Sequence, residues 1–406
     1  MAETEAAMLA LFDADNHYWE TSDAFTRHRD PKFADRGVQI KEVDGVLRYL
    51  VDGLQTEWLP GPADVHPRPL PGAFLDYFNG GTSRDAFLSA FTEKAEDHPD
   101  WYERDARLAV MDSQGVEATW LFPSQGVVIE PLLHTDTEAA IECYRAFNRW
   151  LEEQWGFAYQ DRIFSAPYIT MCDPDAAVHQ LRWCLDRGAR VVNIRHGAAV
   201  TRDGNRSPAD PIFDGFWGLA AEAGIVVATH DGSDETYKPV HDAMSGAWGD
   251  GHIQRAPGEG EREYLGQASN FSGLMKSRTV HDFAYVLVAH RLFERFPSLK
   301  VAYIENGGAW VPSLLLALDH LGHGHAFGKS PRDQFIESCW VAPFVEEDVS
   351  ELARHLPVER ILFGSDWPHG EGYAAPSDFL TNVADFTAAE RRRILHDNAW
   401  ELTFAR

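Results

Sequence analysis

Apolar residues in this chain fall in short runs separated by longer helical stretches. Eight runs read as strands: Leu9–Asp15, Val116–Phe122, Arg162–Ile169, Arg190–Ile194, Ile225–His230, Lys300–Glu305, Phe335–Val341 and Arg360–Asp366. Asp136–Trp155 has helical periodicity. Asp173-Pro174 opens a helix, because Asp caps free N–H groups and Pro suits the first position. Gly188 ends that helix, and Asp210-Pro211 opens another that closes near Gly224. A helix around Phe283–Phe296 leads through Pro297 to the sixth run, and a terminal helix extends through Asn398. Repeated strand–helix units imply parallel strands joined by right-handed crossovers. Eight such units predict an α/β fold of the closed (β/α)8 type, a TIM barrel. A doubly wound open sheet is the alternative. Its dinucleotide-binding form is weakened by the lack of GxGxxG after the first run.

Two segments break the alternation. Residues 27–105 hold scattered prolines and a candidate hairpin at Val38–Val51 around Asp44-Gly45. Residues 231–280 are rich in Gly, Ser and charge. Loops this long in compact domains are usually lids or binding loops. Residues 1–406 are therefore read as a single barrel domain whose two insertions, after strands 1 and 5, cover its mouth. Trp58, Phe74, Tyr77, Phe78, Trp248 and Phe271 are expected to line a substrate pocket there, or to glue the insertions to the barrel.

Composition narrows the partners. Lys and Arg total 36 against 63 for Asp and Glu, a net charge of −27, so no basic stripe is available for nucleic acid or an anionic membrane. No apolar run reaches membrane-spanning length, and Met1–Ala7 lacks the pattern of a secretory leader. Cys143, Cys172, Cys184 and Cys339 show no CxxC spacing, which argues against disulfides and thiolate zinc. A soluble protein of a reducing, cytoplasmic compartment is expected, acting on a small-molecule substrate with an apolar part.

The candidate chemistry sits where strands stop. Asp15 and His17 end the first run, two residues apart, so alternation points them the same way, about 7 Å apart along the strand. His230 ends the fifth run, Glu305 the sixth and Asp366 the eighth. Residues at the C-terminal ends of barrel strands read as catalytic. Glu305 needs a metal, a cation or a proton if buried. Arg195 and His196 end the fourth run on opposite faces. Arg195 is expected to neutralise a substrate carboxylate or to pair with Glu305.

These residues resemble the amidohydrolase superfamily, in the branch typified by aminocarboxymuconate-semialdehyde and resorcylate decarboxylases. The segment Phe363-Gly364-Ser365-Asp366-Trp367-Pro368-His369 carries the resemblance best, with Glu294–Lys300 in support. It implies a metal at the barrel mouth, with Asp15 and His17 matching the first-strand pair, His230 the fifth-strand ligand and Asp366 the eighth-strand aspartate. Homodimers are common among such relatives. Two departures stand out: a carboxylate at Asp15, and Glu305 where the decarboxylases carry a histidine.

The expected function is a metal-dependent hydrolase, in which one or two divalent ions (iron, zinc or manganese) activate water for attack on an amide, ester, lactone or thioester carbonyl. Asp15, His17, His230, Glu305 and Asp366 would be ligands, with Asp366, Glu305 and Arg195 catalytic. The alternative is non-oxidative decarboxylation of an aromatic or enoic acid, for which Glu305 beside a cation would be a poor acid. A non-catalytic binding barrel is the third class.

Overall fold

The computed structural model describes residues 10–51, 53–55, 61–75, 89–230 and 270–404. Seven parallel strands form most of a closed barrel: β1 (Leu11–Tyr18), β2 (Val116–Pro123), β3 (Ile163–Ser165), β4 (Val191–Ile194), β5 (Val226–His230), β6 (Lys300–Ile304) and β7 (Cys339–Val341). β1 pairs with β2 and β2 with β3. β4 pairs with β5, β5 with β6 and β6 with β7. Single bridges join the two sheets. Tyr168 meets Asn193 between β3 and β4, Ile361 meets Val341, and Trp367 meets Asn16. Residues 361–367 thus form the eighth stave, and the ring closes as a TIM barrel.

Even-numbered residues of β1 and β2, such as Phe12, Ala14, Trp120 and Phe122, join Val226, Ile304 and Leu362 in the barrel interior. Odd-numbered neighbours such as Leu11, Leu121 and Val301 pack outward in a larger core that includes the surrounding helices. Both cores are apolar because both faces of a parallel sheet are covered.

Four expected strands differ in detail, the first of which runs on past Asp15 to Tyr18. Phe335 belongs to a helix, Pro331–Ser338, and the strand starts only at Cys339. Ser330 caps that helix by accepting from the Asp333 N–H, and Pro331 takes its first position; these local signals outweigh the apolar pattern. The third strand stops at Ser165, and its continuation meets β4 only at Tyr168. Arg360–Asp366 makes no continuous ladder. Gly364 lies so close to β1 that an added Cβ would stand 2.4 Å from the Asp15 Cβ, and Asp366 leaves the β region with φ +55°.

The hairpin at Val38–Val51 forms as expected, with Asp44 and Gly45 at φ +53° and +78°. Such paired positive φ values suit a two-residue hairpin turn. Of the second long segment, residues 270–289 are a helix, so the irregular stretch ends sooner than expected. Trp58, Tyr77, Phe78, Trp248 and the Phe271 side chain lie outside the described residues. Phe74 is described. Its N–H donates to the Gly370 carbonyl, and the Gly72 N–H donates to that of His369.

Two buried carboxylates tie the mouth together. Asp13 points outward from the interior and accepts from Ser365 N and Oγ, Asn16 Nδ2 and Asp15 N at 2.5–3.2 Å. It thereby joins β1 to the eighth stave. Glu20 accepts from the Gln125 and Gly126 N–H groups at 2.8–3.1 Å, joining the loops after β1 and β2. Burial pushes both carboxyls up to about 7, against the pull of these donors.

Asp13→Ala is expected to lower the unfolding free energy by roughly 3 kcal/mol, because it leaves buried donors such as the Ser365 N–H and Asn16 Nδ2 unsatisfied, each at about 1–3 kcal/mol. Urea unfolding checks this; a loss within error would show that the tie is not stabilising. Glu20 gives a pH signature. Its folded pKa lies above the ordinary 4.5. The folded state therefore holds a proton that the unfolded chain has released between about pH 4.5 and 7. Its contribution is fully present below that window and is lost as pH rises through it, by up to about 1.4 kcal/mol per pH unit. Glu20→Gln should flatten this slope in unfolding curves taken from pH 4.5 to 7.5.

Candidate metal centre

Four side chains from three strand ends converge. The Nε2 atoms of His17 and His230 stand 3.1 Å apart. Asp15 Oδ1 lies 3.3 Å from the first and 3.4 Å from the second. Glu305 Oε2 lies 3.6 Å from His17 and 3.0 Å from His230. Asp366 Oδ1 joins the edge of this group, 3.3 Å from His17 Nε2.

Alternation alone does not produce this arrangement. Asp13 pairs with Thr119 and Asn16 with Leu121, so Ala14 and Asp15 both oppose Trp120. This bulge bends β1 and re-aims the side chains beyond it. It lets Ala14 fill the interior while Asp15 and His17 face the same site. Ile304 points into the barrel, so alternation would send Glu305 outward. A left-handed φ of +51° at Glu305 turns it back toward the mouth. Non-glycine residues in this region are strained and collect at functional sites, and Asp366 is a second case. Arg107 anchors the first-strand pair: its Nη1 donates to Asn16 Oδ1 at 2.5 Å and its Nη2 to the His17 carbonyl at 2.8 Å.

The electrostatics call for a cation. Burial would depress His17 and His230, but the Asp15 and Glu305 carboxylates outweigh it and raise both. Burial would likewise raise Glu305, and the two imidazoles instead pull it well below the usual carboxylate range. Asp15 Oδ1 and Asp366 Oδ1 are buried without a hydrogen-bond donor. Unsatisfied carboxylate oxygens converging with two imidazole nitrogens suit a divalent ion with mixed N/O preference.

His369 sits beside this group, a residue to which the sequence motif alone gives no role. Its ring stacks on His17 with centroids 3.9 Å apart. Its Nδ1 lies 2.7 Å from Asp366 Oδ1 and its Nε2 2.7 Å from Ser124 Oγ. The available signal was its position three residues after Asp366, but strand alternation gives no direction for a side chain beyond a turn. Asp366 is driven well above the usual range by burial first, then by the charges of Glu305, Glu371 and Asp15. His369 is driven well below its ordinary value by burial, then by His17.

Arg195 does not pair with Glu305. Its Nε lies 4.0 Å from Glu130 Oε2, and its Nη2 donates to the Ala198 carbonyl at 2.5 Å. Glu130 in turn accepts from Tyr168 and Thr170 hydroxyls. His196 faces away as expected, with Nδ1 3.0 Å from Thr229 Oγ1. Burial, then Arg195, pushes it down to about 3, so it is neutral.

Residues 12–402 match the amidohydrolase family Amidohydro_2, and the chain belongs to it. Enzymes of that family use a divalent metal. The fold superimposes with a TM-score of 0.87 on an amidohydrolase from Mycobacterium avium subsp. paratuberculosis K-10, 35% identical over 98% of this chain and 99% of that one. The gamma-resorcylate decarboxylase of Rhodococcus jostii (strain RHA1) is 25% identical over 312 residues, 73% of this chain and 86% of the relative. A dihydroxybenzoic acid decarboxylase from Polaromonas sp. JS666, solved with manganese and 2-nitroresorcinol, shares the fold at a TM-score of 0.55 and 19% identity, covering 82% and 93%. The expectation of a hydrolase is thereby corrected. The matched relatives that carry a named reaction are decarboxylases.

His17→Ala and His230→Ala should each bind at least tenfold less manganese than the parent, measured by elemental analysis after dialysis. Glu305→Gln should also lower occupancy. Full metal content in all three would remove these residues from the ligand set.

Proposed function

We propose that the chain is a metal-dependent, non-oxidative decarboxylase of an aromatic or enoic carboxylic acid. The observation that carries this reading is the Asp366–His369 pair beside the four converging donors. It supplies a carboxyl that burial and neighbouring carboxylates push up, where the two imidazoles pull Glu305 down. The named reactions of the relatives point the same way.

Asp15, His17, His230 and Glu305 would hold one ion. His17 has a single Nε2 lone pair to offer, which favours one shared position over two. A divalent cation held there supplies positive charge that binds the substrate carboxylate and draws electron density from its carbon skeleton. Manganese is the proposed ion, since three hard carboxylates lie near it.

Asp366, expected as a ligand, is assigned the proton. Its Oδ1 delivers that proton to the carbon bearing the carboxylate. The bond from that carbon to the carboxylate breaks, its electron pair stays on the carbon, and carbon dioxide leaves. His369 Nδ1, 2.7 Å from Asp366 Oδ1, borders the carboxyl on one side. Phe122 packs against His230 with ring centroids 5.0 Å apart, and Trp19 against His369 at 4.9 Å. These rings give the two histidines an apolar border. Arg195, drawn toward Glu130, takes no chemical step.

Manganese-loaded protein is expected to release carbon dioxide from 2,6-dihydroxybenzoate or a related aromatic or enoic acid. Ester and thioester panels run alongside; their hydrolysis without any carbon dioxide release would overturn the proposal. Asp366→Asn should slow carbon dioxide release by about 10²–10⁴-fold, the usual contribution of a general acid. A variant that keeps the parent rate would return Asp366 to a purely ligating role.

A further inference from the structure

Acidic residues outnumber Lys and Arg by 63 to 36, so a guanidinium in this chain has carboxylates in plenty to meet. Arg104, Arg149 and Arg187 meet none: among the described residues, none of the three forms an ion pair. All three line one cleft of about 460 Å³. It lies in the outer layer, where the helices Arg104–Gln114, Thr137–Gln154 and Pro174–Leu185 come together. Each guanidinium gives one Nη1 to a carbonyl: Arg104 to Glu153 at 3.5 Å, Arg149 to Arg145 at 2.8 Å and Arg187 to Trp183 at 3.2 Å. A guanidinium has five N–H groups, so most of these donors remain for water or another acceptor.

The charges are held in place. Arg149 and Arg187 both stack on the Trp183 ring, 4.8 and 4.1 Å from its centroid, and Arg104 stacks on Tyr159 at 4.4 Å. Phe157 meets Trp183 edge-on at 5.8 Å. Asn148, next to Arg149, fixes the helix beneath by bonding both backbone groups of Tyr168. Arg149 is half-buried, and burial, then the charges of Arg145 and Arg187, pull it down. Arg145 is answered by Glu142 at 2.5 Å; Arg187 has no such answer. Of the two carboxylates in the cleft, Glu153 is taken up by His28 at 2.7 Å and Arg27 at 3.4 Å. Glu152 is left to face three guanidiniums.

We infer that this cleft is an accessory binding site for a small organic oxyanion, a phosphate ester or a polycarboxylate, gripped by Arg104, Arg149 and Arg187. Planar guanidinium forks match the paired oxygens of either group. A cleft of this volume falls within the roughly 300–1,000 Å³ usual for small-molecule sites. It shares no residue with the metal centre, and the inference is independent of the decarboxylase reading.

The test is isothermal titration calorimetry of the manganese-loaded full chain, with inorganic phosphate and succinate as probes. At least one should bind at millimolar concentration or below in dilute salt. Binding of phosphate alone assigns a phosphate ester, of succinate alone a polycarboxylate, and of both a site that reads the oxyanion whatever its source. Arg187→Gln, at an exposed position, and Arg149→Gln should each weaken binding about tenfold or more at the parent's manganese content, the loss expected for hydrogen bonds to a charged group. His17→Ala should bind the anion as the parent does, which separates the cleft from the metal centre. No binding of either anion by the parent, parent-like binding by both arginine variants, or loss of binding in His17→Ala would overturn the inference. Light scattering runs alongside. Arginine variants that dissociate an oligomer, with no anion bound by the parent, would give the cleft to a carboxylate of a second copy and overturn the inference as well.

Discussion

Three carboxylates and two imidazoles crowded at one end of a barrel cannot be buried without compensating charge. Asp15, His17, His230, Glu305 and Asp366 approach one another to 3.0–3.6 Å. Isolated buried charges would cost far more than a fold's net stability. The imidazoles and carboxylates offset one another in part, as the raised histidines and lowered Glu305 show. A divalent ion would complete the balance, and the local backbone is shaped around that requirement.

The shaping is visible as departures from regular geometry. A bulge in β1 lets Asp15 and His17 share a face without emptying the interior at Ala14. Left-handed backbone at Glu305 and Asp366 turns two carboxylates where strand alternation would not take them unaided. Gly364 gives the eighth stave room to pass Asp15. Each departure costs about 1–3 kcal/mol where a non-glycine φ is strained. Asp13, Glu20 and Arg107 hold these distortions from behind. They are themselves buried polar groups with satisfied hydrogen bonds, which is what makes the rim rigid.

The same rim separates two chemistries. A hydrolase of this kind needs a base for water; a decarboxylase needs an acid for carbon. Glu305, flanked by two imidazoles, is held well below the usual carboxylate range, which makes it a poor proton donor to carbon. Asp366, buried among other carboxylates, is pushed toward its protonated form. Its neighbour His369 lies on a turn rather than a strand, so the proposed acid involves a pair of residues and not one strand end.

Much of this was legible along the chain. Eight apolar runs with helical spacers determined a parallel barrel, because period and punctuation are local properties. The Asp-Pro helix starts and the Asp44-Gly45 turn are local too, and both hold. The positions of His230 and Glu305 could be read because β5 and β6 stop where their apolar runs stop, whereas β1 runs on past Asp15 and His17 to Tyr18. Only tertiary structure decided the rest. Phe335 went to a helix because a Ser-Pro cap outweighed its apolar run. Arg195 turned to Glu130, 65 residues away in sequence, rather than to Glu305. Ser124 and His369 met across the 245 residues that separate them. Contacts between groups so distant in sequence follow from how the staves close, which no local pattern of residues encodes.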